Sequence, residues 1–578
     1  MGFVKNGGVK MKKIVSILLV VVMLLTMTTF LATAAPLGGK CGKNVTWSFN
    51  AATGEFVVSG EGAMGKNDGY GNYVDWEYDD SLPWEDLRAY IKTVIIEDGV
   101  TTIGNNAFGG CENLYNITIP NSVTRIGDDA LCSTAITNIT LPDSVEFIGN
   151  MAFSGSMKLE KIDIGNGVKT IDSFAFMSCY GLTTVIFGNR LETIAPSAFV
   201  SCGSILEIAI PASVKSIGEG AFTGCKSLKK ITVDANNKFY SSDKNGVLFD
   251  KNKTLLLQYP GGSVISDYTV PEGVETIARV SFGAVDSLRS VTIPTSVKTI
   301  EDSAFSSCEN LETVTISGGG TYIDACAFFS CLNLKTVNLF DGVGDIGESA
   351  FAYCESLESI YIPGSVENIE YGAFDECLRL TEVKIAEGVK TIGGRAFYTC
   401  DKINSITIPD SVTSIGEEAF YGCYGIETLK VGKGVKTIGK GAFGGCRGIK
   451  TVILSANIQT IDVGAFNGCS RIKDVYYEGT ERMWDSIYIA SDNVELLIGD
   501  IYFESTGPET EVTYNIGDLN CDDMINSSDA LLVLKHAVGS IQLDEKALAA
   551  ADVTKDGNIN SSDALKILKF SVGSIETL

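Results

Sequence analysis

The chain has 578 residues, is 45% hydrophobic and 20% charged, and carries a formal net charge of −26. That length points to several domains or a repeat array, and the hydrophobic share excludes a disordered chain. A surface this acidic repels phosphate backbones, so no nucleic-acid partner is expected.

The N-terminus reads as a targeting signal. Lys12 and Lys13 precede a mostly apolar run from Ile14 to Phe30, and Ala32-Thr33-Ala34 offers a small-x-small cleavage pattern before Ala35. This predicts a signal peptide over residues 1–34, membrane contact only in transit, and a secreted, extracellular mature protein. The alternative is an uncleaved anchor helix, because the run is long enough to span a bilayer with some strain.

A repeat follows. GVKTIGGRAFYTC, SVTSIGEEAFYGC and GVKTIGKGAFGGC place Phe397, Phe420 and Phe443 at intervals of 23. The column runs back through Phe374, Phe351, Phe328, Phe305 and Phe282, and forward to Phe466. After a gap of 60 it resumes at Phe222, Phe199, Phe176 and Phe153, and Leu131 and Phe108 complete fifteen coils. The gap contains NGVLFDKNKTLLLQYP, which reads as a strand–turn–strand detour near residues 230–265. In the coil from Ile403 to Cys423 the inward candidates are Ile403, Ile406, Ile408, Val412, Ile415, Ala419, Phe420 and Cys423. One coil cannot offset its own ordering entropy, at about 1.5 kcal/mol per residue, so coils must stack and share a core.

The pattern I-x-I-P-x-S-V-x-x-I-G-x-x-A-F-x-x-C resembles the BspA-like leucine-rich repeats of bacterial surface proteins, over about residues 91–478. WSFNAATGEFVVSGEGAM with Pro83-Trp84 before the array, and VYYEGTERMWDSIYI after it, look like that family's caps, assigned to 35–90 and 479–503. Caps are physically required, since end coils otherwise expose sheet edges and core. Trp47, Trp76, Trp84 and Trp484 are therefore expected in cap cores. The implied fold is an α/β-type leucine-rich-repeat solenoid of parallel stacked short strands.

Twelve of the sixteen cysteines sit three residues after the column phenylalanine. Once per coil suits a small buried side chain, and parallel Cβ vectors one strand spacing apart do not favour disulfides. A reduced thiol ladder is expected, with Cys326, five residues before Cys331, as the exception. A straight row gives no tetrahedral metal cluster.

No catalytic residues are assigned. His536, the single histidine, lies beyond the array, which excludes Ser-His-Asp or Cys-His chemistry from the solenoid. A carboxylate-pair glycosidase needs no histidine, but Glu417 and Glu418 read as solvated charges at exposed repeat positions. The exposed strand column, from Thr118 through Thr232, Thr315 and Thr407 to Ile453, is dominated by threonine and carries no aromatic stripe. It reads as a display face, with an unknown protein or glycan ligand left open.

Residues 504–514 form a polar linker containing Gly507-Pro508. Beyond it, NSSDALLVLKHAVGSI and NSSDALKILKFSVGSI start at Asn526 and Asn560, 34 residues apart. Each copy completes a calcium-loop pattern followed by a helix. The first offers Asp518, Asn520, Asp522, Asn526 and Asp529, with the Met524 carbonyl. The second offers Asp552, Thr554, Asp556, Asn560 and Asp563, with the Asn558 carbonyl.

This duplicated loop–helix over 515–578 looks like a type I dockerin, a small all-α calcium-binding module. The resemblance implies two calcium ions and a cohesin partner on a scaffoldin, within a cellulosome-like complex that degrades polysaccharide. It also implies cohesin contacts at Ser527, Ser528, Leu534 and Lys535, and at Ser561, Ser562, Leu568 and Lys569. Two departures from the pattern weaken the expected sites: Asp523 stands where the loop normally has glycine, and Thr554 replaces Asn or Asp. The reading is a non-catalytic secreted interaction or adhesion subunit. The alternatives are a dockerin-borne polysaccharide-degrading enzyme and a cell-surface adhesin.

Overall fold

The computed structural model describes residues 37–67, 73–75, 81–507, 515–520, 524–543, 545–571, 575 and 577–578. The predicted signal segment, Trp76, Asp522, Asp523 and most of the linker lie outside the described residues. Two compact units are present. One comprises the chain to Val452 with Asn457–Asp474 and Asp485–Asp500; the other comprises Ile453–Ala456, Val475–Trp484 and Ile501–Leu578.

Each solenoid coil contributes two short strands. In the coil of Phe420 these are Ser405–Ile408 and Ser414–Ile415. Each pairs in parallel, in register, with its counterpart 23 residues on: Ile406 opposite Leu429, and Ile415 opposite Ile438. Along Ser405–Ile408 burial alternates, so Ile406 and Ile408 face the core while Thr407 faces solvent. All eight inward candidates of this coil are buried.

The third side of the coil, around the Ala-Phe pair, is a corner rather than a strand. The backbone N–H groups of Glu418, Phe420 and Gly422 donate to the carbonyls of Lys440, Ala442 and Gly444 in the next coil, at 2.7–2.8 Å. To aim every second N–H along the solenoid axis, the residues two before and two after the phenylalanine adopt left-handed backbone. Glu418 has φ 56° and Gly422 φ 77°, and this pair of left-handed residues recurs in all fifteen coils. Glycine fills some of these positions and side-chain-bearing residues fill the rest, at a cost of about 1–2 kcal/mol each.

The phenylalanines stack down the core. Phe374, Phe397, Phe420 and Phe443 have ring centroids 5.1–5.3 Å apart and nearly parallel planes. The detour forms antiparallel hairpins, Tyr240–Ser242 with Leu248–Asp250 and the latter with Leu255–Gln258. It also hides a further rung. Tyr259 stacks on Phe282 at 4.8 Å, 23 residues before it in the chain. The gap thus holds one coil with an aromatic rung plus an extra hairpin.

Both ends of the corner ladder are closed by side chains. At the start, Trp84 donates its indole N–H to the Ala107 carbonyl at 2.7 Å, the bond that a preceding coil's phenylalanine would make. Trp84 also meets Trp47, Phe56 and Phe108 in one aromatic cluster. At the other end, the Asn493 side-chain oxygen accepts the Phe466 N–H at 2.9 Å, and the Glu495 carboxylate accepts that of Gly468 at 2.9 Å. Trp484, in the second unit, is buried edge-on against Tyr477.

Three expectations are corrected. Cys326 is a free thiol and half-buried, standing at the left-handed position before Phe328 rather than in a disulfide. Ile453 is buried, because the backbone at Gly507 passes over its side chain. Glu418 is only half-buried rather than fully solvated, and is ion-paired to Arg395 at 2.8 Å.

Candidate functional site: the duplicated C-terminal module

The two copies fold alike. Helices span Ser527–Ala537 and Ser561–Ser571, with a third, Glu545–Ala551, between them. Leu519, Ala530 and Val533 are buried, as are their counterparts 34 residues on, Val553, Ala564 and Ile567. These small and branched side chains let the two main helices pack closely. Each helix is capped by its loop. The Asn526 side chain accepts from the Ser528 N–H, and Asn560 accepts from Ser562.

The last carboxylate of each loop is drawn inward. Asp529 and Asp563 are fully buried. Asp529 accepts backbone N–H groups from Leu519 at 2.7 Å and Asn526 at 2.9 Å. Asp563 accepts from the Thr554 N–H, the Thr554 hydroxyl at 2.8 Å, and the Asn560 N–H. The structure therefore brings Thr554, Asn560 and Asp563 together. Asp552 instead accepts from the N–H groups of Asp556 and Gly557, and the Asn558 carbonyl accepts from the Asn560 side chain. The second loop turns at Gly557, φ 81°. In the first loop Asp518 is buried beside Asp529's helix while Met524 is exposed; Asn520 follows at the loop's start.

Among the described residues, no three His, Cys, Asp or Glu side chains gather as a metal cluster on their own. The donor set nonetheless fits a hard divalent cation. Every candidate atom is oxygen, from carboxylate, amide, hydroxyl or carbonyl, which suits calcium and not a soft metal.

The eight candidate partner contacts are all on the surface. Ser527, Ser528, Lys535, Ser561, Ser562 and Lys569 are exposed, and Leu534 and Leu568 are each 37% exposed. Val533 and Ile567, one residue earlier in each helix, fill the helix–helix core instead. Sequence reasoning missed Leu531 and Leu565, which are exposed three residues before the paired leucines. An i, i+3 count on each helix would have found them.

Comparison with known proteins agrees with both halves. The chain matches the BspA type Leucine rich repeat region (6 copies) over residues 88–202, 146–244, 261–380 and 367–494, more than half its length. It matches the Dockerin type I domain over 516–570. None of the curated proteins matches it. Among solved structures, a leucine-rich repeat protein from Eubacterium ventriosum ATCC 27560 is 26% identical over 67% of this chain and 95% of that one, with a TM-score of 0.51. A leucine-rich repeat protein from Bacteroides ovatus ATCC 8483 is 25% identical over 64% and 94%, with a TM-score of 0.44.

Dockerin type I domains bind calcium and imply a cohesin partner. Both matched regions are typical of extracellular bacterial proteins, and neither is a catalytic domain. Among the described residues no helix is long and apolar enough to cross a membrane. The chain belongs to the BspA-type leucine-rich-repeat family and carries a type I dockerin domain at its C-terminal end.

Proposed function

We propose that this protein is a secreted, non-catalytic interaction subunit that calcium-dependent dockerin–cohesin binding tethers to an extracellular polysaccharide-degrading assembly. The observation that carries this reading is the exposed Ser-Ser and Leu-Lys pairs, repeated at matching offsets on two helices whose cores are also matched. An apolar anchor with a polar rim suits a protein interface. Two calcium ions would be held by Asp518, Asn520, Asp522, Asn526, Asp529 and the Met524 carbonyl, and by Asp552, Thr554, Asp556, Asn560, Asp563 and the Asn558 carbonyl. They would order loops whose carboxylates otherwise repel one another.

The test is binding of the purified full chain to immobilised type I cohesins, with calcium and with chelator. Calcium-dependent capture is expected, and failure with every cohesin would overturn the reading. The enzyme alternative is tested alongside it, by incubating the chain with plant polysaccharides and assaying for released reducing ends; turnover there would replace the non-catalytic assignment.

A further inference from the structure

On the corner side of the solenoid, tyrosines appear where the repeat does not ask for them. Tyr398 and Tyr421 directly follow the core phenylalanine, a position that is glycine, serine, valine, alanine or aspartate in most other coils. Tyr371 stands three residues before Phe374. Neither column faces the core. Tyr371 is 49% exposed and Tyr421 38%, and Tyr424, four residues after Phe420, is 47% exposed. Tyr398 and Tyr421 stack at 5.3 Å, and the guanidinium of Arg395 lies 4.8 Å over the Tyr398 ring.

The tyrosine row stops at Tyr421, and a cleft of about 370 Å³ opens there. Its floor is backbone: Gly441, Gly445, Gly464 and Gly468 carry no side chains to fill it. The amides of that floor are already bonded, Gly441 to Val463 and Gly464 to Ser491, so a ligand must be read by the walls. Those walls carry Glu418, Asp492, Lys440 and Arg447, two charges of each sign, together with Asn467 and Val463. Three of these charges are held in place by partners outside the cleft, and Asp492 accepts from the neighbouring Ser491 hydroxyl at 3.2 Å. Lys440 pairs with Glu417 at 2.6 Å, Glu418 pairs with Arg395, and Arg447 lies 5.7 Å over the Tyr424 ring.

We infer that this cleft binds an uncharged oligosaccharide. A charge-balanced wall favours neither anion nor cation, and the chain's net charge of −26 disfavours an anion further. What it offers is many fixed donors and acceptors beside an aromatic ring, which matches the hydroxyls and C–H face of a neutral sugar. An extended sugar chain laid along the axis would continue from the cleft over the exposed edges of Tyr421, Tyr398 and Tyr371. The inference is independent of the dockerin reading, since every residue it uses lies in the solenoid.

The experiment is calorimetric titration of the full chain, in calcium, with cellohexaose, xylohexaose and polygalacturonate. Binding of a neutral hexaose, with affinity indifferent to raising salt from about 0.05 to 0.5 M, is expected. Tyr421→Ala and Arg447→Ala should each weaken it by about tenfold, and Tyr421→Phe should restore most of the loss. Each variant's melting temperature should stay with that of the parent, which separates a lost contact from a lost fold. No binding to either neutral sugar, binding to polygalacturonate alone, or affinity unchanged by both alanine variants would overturn the assignment. Cohesin capture by the same variants should be unaffected.

Discussion

The thiol of Cys423 donates to the backbone carbonyl of Phe397 in the preceding coil at 3.1 Å. The bond recurs from Cys179 to Phe153 through to Cys469 and Phe443, always across 26 residues. In the coil of Phe153, which lacks the cysteine, Ser156 makes the bond, donating to the Leu131 carbonyl at 3.1 Å. The ladder cysteines are all free. A small donor thus fills the column in most coils, the apolar and buried Val285 after Phe282 being the exception. Cys423→Ser should cost less than Cys423→Ala, which loses about 1 kcal/mol with the thiol's bond and packing while the Phe397 carbonyl keeps the Cys400 N–H at 3.3 Å. Urea denaturation of both variants checks the order.

Burial pushes the thiols of Cys225 and Cys308 up from an ordinary 9.0 to about 12. The folded chain therefore holds protons that the unfolded chain releases above pH 9. Stability is full below that value and should fall steadily between about pH 9 and pH 12. Melting temperatures across that range should decline more steeply than in a variant with several ladder cysteines changed to serine. At neutral pH the twelve ladder thiols should resist Ellman's reagent in the native protein and titrate after denaturation without reductant.

Phe420 is buried between Phe397 and Phe443. Phe420→Ala should cost about 3–5 kcal/mol, the usual range for truncating a buried phenylalanine. Hydrogen exchange should show the loss concentrated in the adjoining coils, because each coil contacts only its neighbours.

Val280 holds φ 49° at the left-handed position before Phe282. A β-branched side chain is poorly suited to that conformation. Val280→Gly should raise the melting temperature, by an amount worth about 1–2 kcal/mol. Equivalent glycines already stand at Gly220, Gly441 and Gly464.

If the dockerin docks through either helix, the serine pairs are redundant. Ser527 and Ser528 changed together should barely weaken cohesin binding, while changing all four serines to glutamate should abolish it. Chelator should remove the circular dichroism of residues 515–578 and leave the solenoid's signal in place. Loss of cohesin binding from the first pair alone would restrict docking to one face.

The period of 23 made the solenoid legible, because one buried aromatic per coil is a large and regular signal. The same count, carried back from Phe282, lands on Tyr259, but the detour's extra hairpin hid that rung. The left-handed residues flanking each phenylalanine were less visible, since serine, arginine or glutamate occupies them as often as glycine. Closure of the ladder by Trp84 and Asn493 was not legible at all. Single hydrogen bonds between a cap side chain and a distant backbone atom leave no periodicity to read. In the C-terminal module, duplication marked the candidate ligands and contacts, whereas the exposure of Leu531 and Leu565 depends on how the helices pack.

The Trp84 and Asn493 closures also bear on how such a chain can change length. Every interior coil receives from one neighbour and gives to the next the same set of bonds, so none is tied to an absolute position. Excising residues 398–420, one period of 23, would bring Phe397 against Phe443 with donors and acceptors still matched. Growth or shortening can then proceed between fixed termini in whole periods. The closing side chains take up the corner ladder's last donors and acceptors, so a change in coil number opens no new pairing site on that side of the solenoid.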